Sequence, residues 1–160
     1  MGRRLLKWLA ALLAAGLLAI QFHRPPRTNP PADPALGLET RMAVPAEVRR
    51  ILRRSCYDCH SQETRWPWYS QVAPVSWFLA GHVRDARSQM NFSVWPDPAD
   101  PGERMDADYL LKKICEMVKE DRMPLPSYRW MHWSAPLSPG EVDTVCAWSR
   151  KARASLYGGG

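Results

Sequence analysis

Cys56-Tyr57-Asp58-Cys59-His60 is the stretch on which the reading of this chain turns. Two cysteines two residues apart with a histidine next to the second form the attachment pattern for a covalent haem. The spacing has a physical reason. Thiols one helical turn apart can each add to one haem vinyl group, and the adjoining imidazole then meets the iron from the same side. Cys56 and Cys59 are therefore the expected thioether positions and His60 the expected proximal iron ligand. Bonding through sulfur also lets a small domain hold a large planar group that its thin core would not retain. A redox-active dithiol shares the C-x-x-C spacing, but it requires a strand before the first cysteine, and the residues before Cys56 read as helix. A zinc site requires a second paired cluster, and Cys115 and Cys146 stand apart without a local partner.

Outward from the motif, the pattern is helical. Pro45 to Ser55 carries Val48, Ile51, Leu52 and Ser55 on one stripe, with Arg49, Arg50, Arg53 and Arg54 on the other face as a solvated surface. A second helix is expected over Val75 to Gln89, with Val75, Phe78, Leu79, His82, Val83 and Ala86 on one side. A third is expected from Asp106 as N-cap, turning Leu110, Leu111, Ile114, Cys115 and Val118 inward and stopping before Met123, since Pro124 disfavours helical geometry in the residue ahead of it. A fourth opens at Ser138-Pro139-Gly140-Glu141, a capping-box pattern with proline in the first turn, and turns Val142, Val145, Cys146 and Ser149 inward. No alternating strand pattern of useful length occurs. The expected fold is a small all-α, cytochrome c-like domain around one covalent haem, preceded by an apolar helix and a Pro-rich linker.

The N-terminus reads as targeting sequence. Arg3, Arg4 and Lys7 precede an uncharged run from Trp8 to Phe22, the layout of a signal peptide or an uncleaved signal anchor. As a helix, Leu5 to Phe22 would span about 27 Å, enough for a bilayer core. The retained anchor is the expected form and cleavage the alternative; either way the remainder is exported, to the periplasmic face of the inner membrane. Residues 23–44, with Pro25-Pro26, Pro30-Pro31 and Pro34, read as a semi-rigid spacer of about 3 Å per residue. The haem-binding domain is expected over 45–154 and a flexible tail over 155–160. The net charge of +6 is spread along the chain, without the Lys/Arg run of a nucleic-acid tract. The expected partners are redox proteins at the membrane and not nucleic acid. In an oxidising compartment Cys115 and Cys146, each on the inner stripe of its helix, either bridge the third and fourth helices or remain two buried thiols. A bridge would add on the order of 3 kcal/mol.

Arg27-Thr28-Asn29-Pro30-Pro31, Cys56-Tyr57-Asp58-Cys59-His60-Ser61, Glu63-Thr64-Arg65-Trp66-Pro67-Trp68-Tyr69-Ser70, Val72-Ala73-Pro74-Val75-Ser76-Trp77 and Asn91-Phe92-Ser93 resemble the bacterial haem-binding domain family of cytochrome c-like proteins. The resemblance covers roughly Arg27 to Trp148. It implies one haem c, an exported location and electron transfer. Cys115, Cys146 and the aromatic Trp130-Met131-His132-Trp133 depart from the family pattern.

The sixth iron position has seven candidates: Met90, Met105, Met117, Met123, Met131, His82 and His132. Met123 is preferred, because Met-Pro follows the third helix where the chain must become extended, and cytochromes c commonly carry their distal methionine in such a context. His132 and His82 follow. Methionine and histidine together raise the reduction potential and fill the iron. The other methionines read as core filler. Trp66, Trp68, Tyr69 and Trp77 are expected to wall the haem pocket, and Arg65 either pairs with a propionate or lies on the surface. An electron carrier is expected rather than an enzyme. The alternatives are a haem peroxidase or a gas or redox sensor with an open distal site, and a periplasmic dithiol oxidoreductase.

Overall fold

Two helix starts with the same layout, cap-Pro-Gly-Glu, set the frame of the domain. Ser138 Oγ accepts the Glu141 amide at 3.3 Å while Glu141 Oε2 accepts the Ser138 amide at 2.9 Å, closing the expected capping box. Asp100-Pro101-Gly102-Glu103 does the same work upstream: Asp100 Oδ1 accepts from the amides of Gly102 at 2.7 Å and Glu103 at 3.2 Å. The helix expected from Asp106 therefore begins at Pro101, with Asp100 as its cap.

The computed structural model describes Gly2 to Gly158, and helix is the only regular structure among these residues. In chain order the α-helices are α1 (Gly2–Ala19), α2 (Leu38–Arg41), α3 (Ala46–Ser55), α4 (Tyr57–His60), α5 (Val75–Gln89), α6 (Pro101–Lys119), α7 (Pro126–Arg129) and α8 (Pro139–Tyr157). Short 3₁₀ turns lie at Ile20–Phe22, Pro34–Leu36 and Trp68–Gln71. Helix α1, with the turn that follows it, is long and apolar enough to cross a membrane and buries none of its residues.

Helices α6 and α8 pack antiparallel. Three ties fix the direction, since α8 partners advance as α6 partners retreat: the Cys115–Cys146 disulfide, Ser149 Oγ donating to Leu111 O at 2.7 Å, and Arg153 bonded to Asp108 at 2.8 and 3.1 Å. Val48, Ile51 and Leu52 of α3 join Leu111, Ile114, Val118, Val145 and Trp148 in one core. The charged face of α3 is more than a solvated surface. Arg49 and Arg53 both pair with Glu39, Arg53 also with Glu63, and Arg54 reaches Glu141 at 2.8 Å.

Two expected boundaries move. Residues 23–44 are not a free spacer, because Leu38, Met42 and Val44 are core residues and the Trp148 indole donates to Ala43 O at 3.0 Å. Their apolar side chains are too widely spaced to show a helical period, yet each finds a partner once α8 and the Phe92 segment are folded. At the other end, α8 runs past residue 154 to Tyr157 and buries Leu156. Of the expected tail, residues 159–160 lie outside the described residues.

Candidate functional site

The C-x-x-C-H motif begins at the α3–α4 junction. Cys56 caps both helices, its amide bonded to Leu52 O at 2.8 Å, and Cys59 and His60 return their amides to Cys56 O at 3.1 and 3.0 Å. Both residues between the cysteines are pinned. Tyr57 points into the core, stacks on Phe92 at 5.0 Å and donates its hydroxyl to Glu39 at 3.1 Å. Asp58 is buried on the other side, where it accepts Arg65 Nε at 3.0 Å, Arg65 Nη2 at 3.1 Å and the Tyr128 hydroxyl at 2.8 Å. Burial would raise the Asp58 carboxyl, but these donors outweigh it and hold it below the ordinary aspartate range.

His60 Nδ1 lies 3.1 Å from Met90 O. A carbonyl oxygen only accepts, so the proton sits on Nδ1 and the Nε2 lone pair is left for a metal. Burial lowers the imidazole below its ordinary value despite the backbone carbonyls beside it, which keeps the ring neutral. The Asn91–Trp95 segment braces this arrangement from behind: the Phe92 amide donates to His60 O at 2.7 Å, Phe92 O accepts the Leu38 amide at 2.8 Å, and Phe92 stacks on the buried Trp95 at 6.1 Å. Sequence reasoning gave Phe92 and Trp95 no part in the site. The aromatic pair spaced across a short Ser-Val step was the available signal, but it has no helical period to mark it.

Cys59 opens onto an apolar cavity of about 320 Å³. One wall is the stripe Val75, Phe78, Leu79 and His82 of α5; the facing wall is Leu125, Ser127, Tyr128 and Met131; Trp68 and Tyr69 close one end. The facing wall exists because α6 stops at Lys119 and Asp121 turns left-handed (φ 53°), throwing the chain away from α8. Val75 and Phe78, expected on one side of this helix with Leu79 and His82, lie exposed at the cavity.

The expected site residues divide. Trp68 and Tyr69 line this cavity, whereas Trp66 and Trp77 line a separate hollow with His23, Pro25 and Pro26. Arg65 is held by Asp58 and borders a polar hollow with Arg53, Arg54 and His132, not the apolar cavity. His132 stacks on Tyr128 at 3.9 Å on that polar side. Met123 is half-buried, bonded through its amide to Met117 O, and is not among the residues lining the cavity; Leu125, two residues on, is. His82 and Met131 do line it.

The residues fit a haem. An apolar slot lies beside the Cys59 thiol, while Cys56 and His60 do not line it; with Nδ1 bonded to Met90 O, Nε2 is the lone-pair nitrogen of the His60 ring. Both motif cysteines are unbridged while Cys115 and Cys146 form a disulfide. Burial pushes the Cys56 thiol up to about 12 and that of Cys59 up to about 11, the reverse of the lowered value that makes an attacking dithiol reactive. Among the described residues, no group of three or more His, Cys, Asp or Glu side chains is placed to hold a metal ion on its own.

A family model described as a haem-binding domain matches residues 15–151. No curated protein and no solved structure matches the chain. The matched span takes in the motif, both walls of the cavity and the α6–α8 frame, and the chain belongs to the haem-binding domain family.

Proposed function

We propose that the protein is an exported monohaem c-type cytochrome that passes single electrons, with haem bonded through Cys56 and Cys59 and ligated by His60. The observation that carries this reading is the Cys59 thiol at an apolar cavity together with the His60 Nδ1 contact to Met90 O, because that contact leaves Nε2 as the nitrogen with a lone pair. When bound, the haem supplies an iron that changes oxidation state by one electron. The chain's own part is to orient the imidazole through Met90 O, to exclude water with the walls of α5 and Leu125–Met131, and to hold Asp58 charged one residue from the attachment point. The raised thiols speak against the dithiol oxidoreductase, and the Cys115–Cys146 bridge suits an oxidising compartment.

For the sixth position we propose Met123, two residues ahead of Leu125, where the segment facing α5 across the cavity begins. His60 contacts Met90 O at the C-terminal end of α5, and Met123 lies on a different segment, so Met123 is preferred to His82 of α5 as the residue that would complete the iron's ligand set. A second reading, Met131, is favoured by its place on the cavity wall. With a thioether bound, the iron has no open position, which makes an electron carrier the better reading than a peroxidase or gas sensor.

The test is expression in a host that matures c-type cytochromes. Intact mass should show one haem retained through acid-acetone extraction, lost when both Cys56 and Cys59 are replaced by alanine. The ferrous spectrum should be low-spin in the wild type and high-spin in Met123→Ala, with Met131→Ala and His82→Ala unchanged. A high-spin wild type would favour the open-site enzyme or sensor, and a colourless protein would end the haem c reading.

A further inference from the structure

Helix α1 buries nothing, yet its end is fastened to the domain. The Gln21 side-chain amide donates to Ala73 O at 3.0 Å, and its oxygen accepts the Ala73 amide at 2.9 Å. The Trp77 indole adds a bond to His23 O at 2.6 Å. Two oppositely directed bonds to one backbone residue fasten the turn that ends α1 to the domain. The face of the domain that carries Ala73 is held at the end of the membrane-length helix.

That face is where the large exposed apolar side chains gather. Val72, Val75, Phe78 and Trp68 flank Ala73, with Trp68 74% exposed. Across the cavity mouth Met131 is flanked by Trp130 and Trp133, at 80% and 89% exposure. Trp133 satisfies its indole on Trp130 O at 3.0 Å, which leaves both ring faces outward. The exposed Met105, Tyr109 and Tyr157 lie towards the other end of the α6–α8 pair, away from the connection that carries Trp130 to Trp133. Tryptophans clustered beside the end of an apolar helix have the composition of a membrane-interface belt.

We infer that the rim formed by Trp68, Val75, Phe78, Trp130, Met131 and Trp133 lies in the interfacial layer of the bilayer that α1 crosses, so that the cavity beside Cys59 opens against lipid. This rests on α1 remaining on the chain as an anchor. It leaves the Met105–Tyr109 end of α6 facing the aqueous phase.

The full-length, haem-loaded chain in nanodiscs containing a phospholipid with a diazirine near its glycerol backbone tests the inference, with labelled residues mapped by peptide mass spectrometry. The expected pattern is labelling of α1 and of the rim, with Met105, Tyr109 and Tyr157 at background. In Gln21→Ala the rim labelling should fall severalfold while α1 labelling and the haem spectrum hold. Labelled α1 with the rim no higher than Met105 and Tyr109 overturns the inference and leaves the anchor standing. Unlabelled α1 overturns the anchor, and the inference with it.

Discussion

The Tyr128 hydroxyl donates to Asp58 Oδ2 at 2.8 Å, joining the residue inside the C-x-x-C-H motif to the segment that forms the opposite wall of the cavity. Seventy positions apart in the chain, the two residues tie the motif to the wall that carries Leu125 and Met131. Replacing Tyr128 by phenylalanine keeps the ring and removes the donor to a buried carboxylate, a loss of about 1.5 kcal/mol or more. The urea midpoint of the haem-loaded protein should drop accordingly. An unchanged midpoint would mean that apolar contacts alone hold the wall.

Arg87 joins three segments: it donates to Ser61 O at 2.7 Å, to Asn29 Oδ1 at 2.8 Å and to Thr64 Oγ1 at 2.8 Å. Arg87→Met keeps the aliphatic stem and should cost about 2–3 kcal/mol. Limited proteolysis should then cut faster between residues 24 and 37, because Asn29 keeps only its bond to Thr64 O and loses the one to Arg87. Equal cutting rates in the two proteins would return that stretch to the status of a free spacer.

The Arg54 guanidinium and the Ser138 amide hold the Glu141 carboxyl at about 2, below its ordinary 4.5. A carboxyl lowered on folding contributes fully above its unfolded value and loses that contribution as the pH falls through the folded one. Glutamine preserves the capping box, so Glu141→Gln isolates the charge. The wild type should exceed the variant in denaturation midpoint at neutral pH, with the gap closing between about 4.5 and about 2. A gap that stays constant across that window would refute the assignment.

Replacing Cys115 and Cys146 by serine opens a closed loop of 31 positions. Chain entropy puts the loss at roughly 3–4 kcal/mol. Chemical denaturation should show it with the haem spectrum unchanged, because the bridge ties α6 to α8 and does not line the cavity. A spectral change would show that the frame and the cavity are coupled.

Local patterns carried much of this structure on the surface of the sequence. Val75 to Gln89 is helical over the expected span, and Ser138-Pro139-Gly140-Glu141 caps α8 as its pattern implies, since both are decided within one or two turns of chain. Asp100-Pro101-Gly102-Glu103 carries an equally local signal, and the cap is Asp100 rather than the expected Asp106, which sits inside the helix. What lay beyond a sequence reading was partnership over distance. Glu39 gathers Arg49, Arg53 and Tyr57, and Arg65 turns to Asp58 rather than to the cavity. The split of the four aromatics, Trp68 and Tyr69 to one hollow and Trp66 and Trp77 to another, depends on the path of the turn at Trp68–Gln71.

From residue order alone came the helical class, the apolar N-terminal segment and the proposal of Cys56, Cys59 and His60 as the haem-attachment centre, because periodicity, caps and motif spacing act between near neighbours. Tertiary structure decided which nitrogen of His60 is free, which side chains wall the cavity, and that residues 23–44 belong to the folded body. Those outcomes depend on a carbonyl at Met90, a carboxylate at Asp58 and core partners far along the chain, and no local rule specifies where such groups meet.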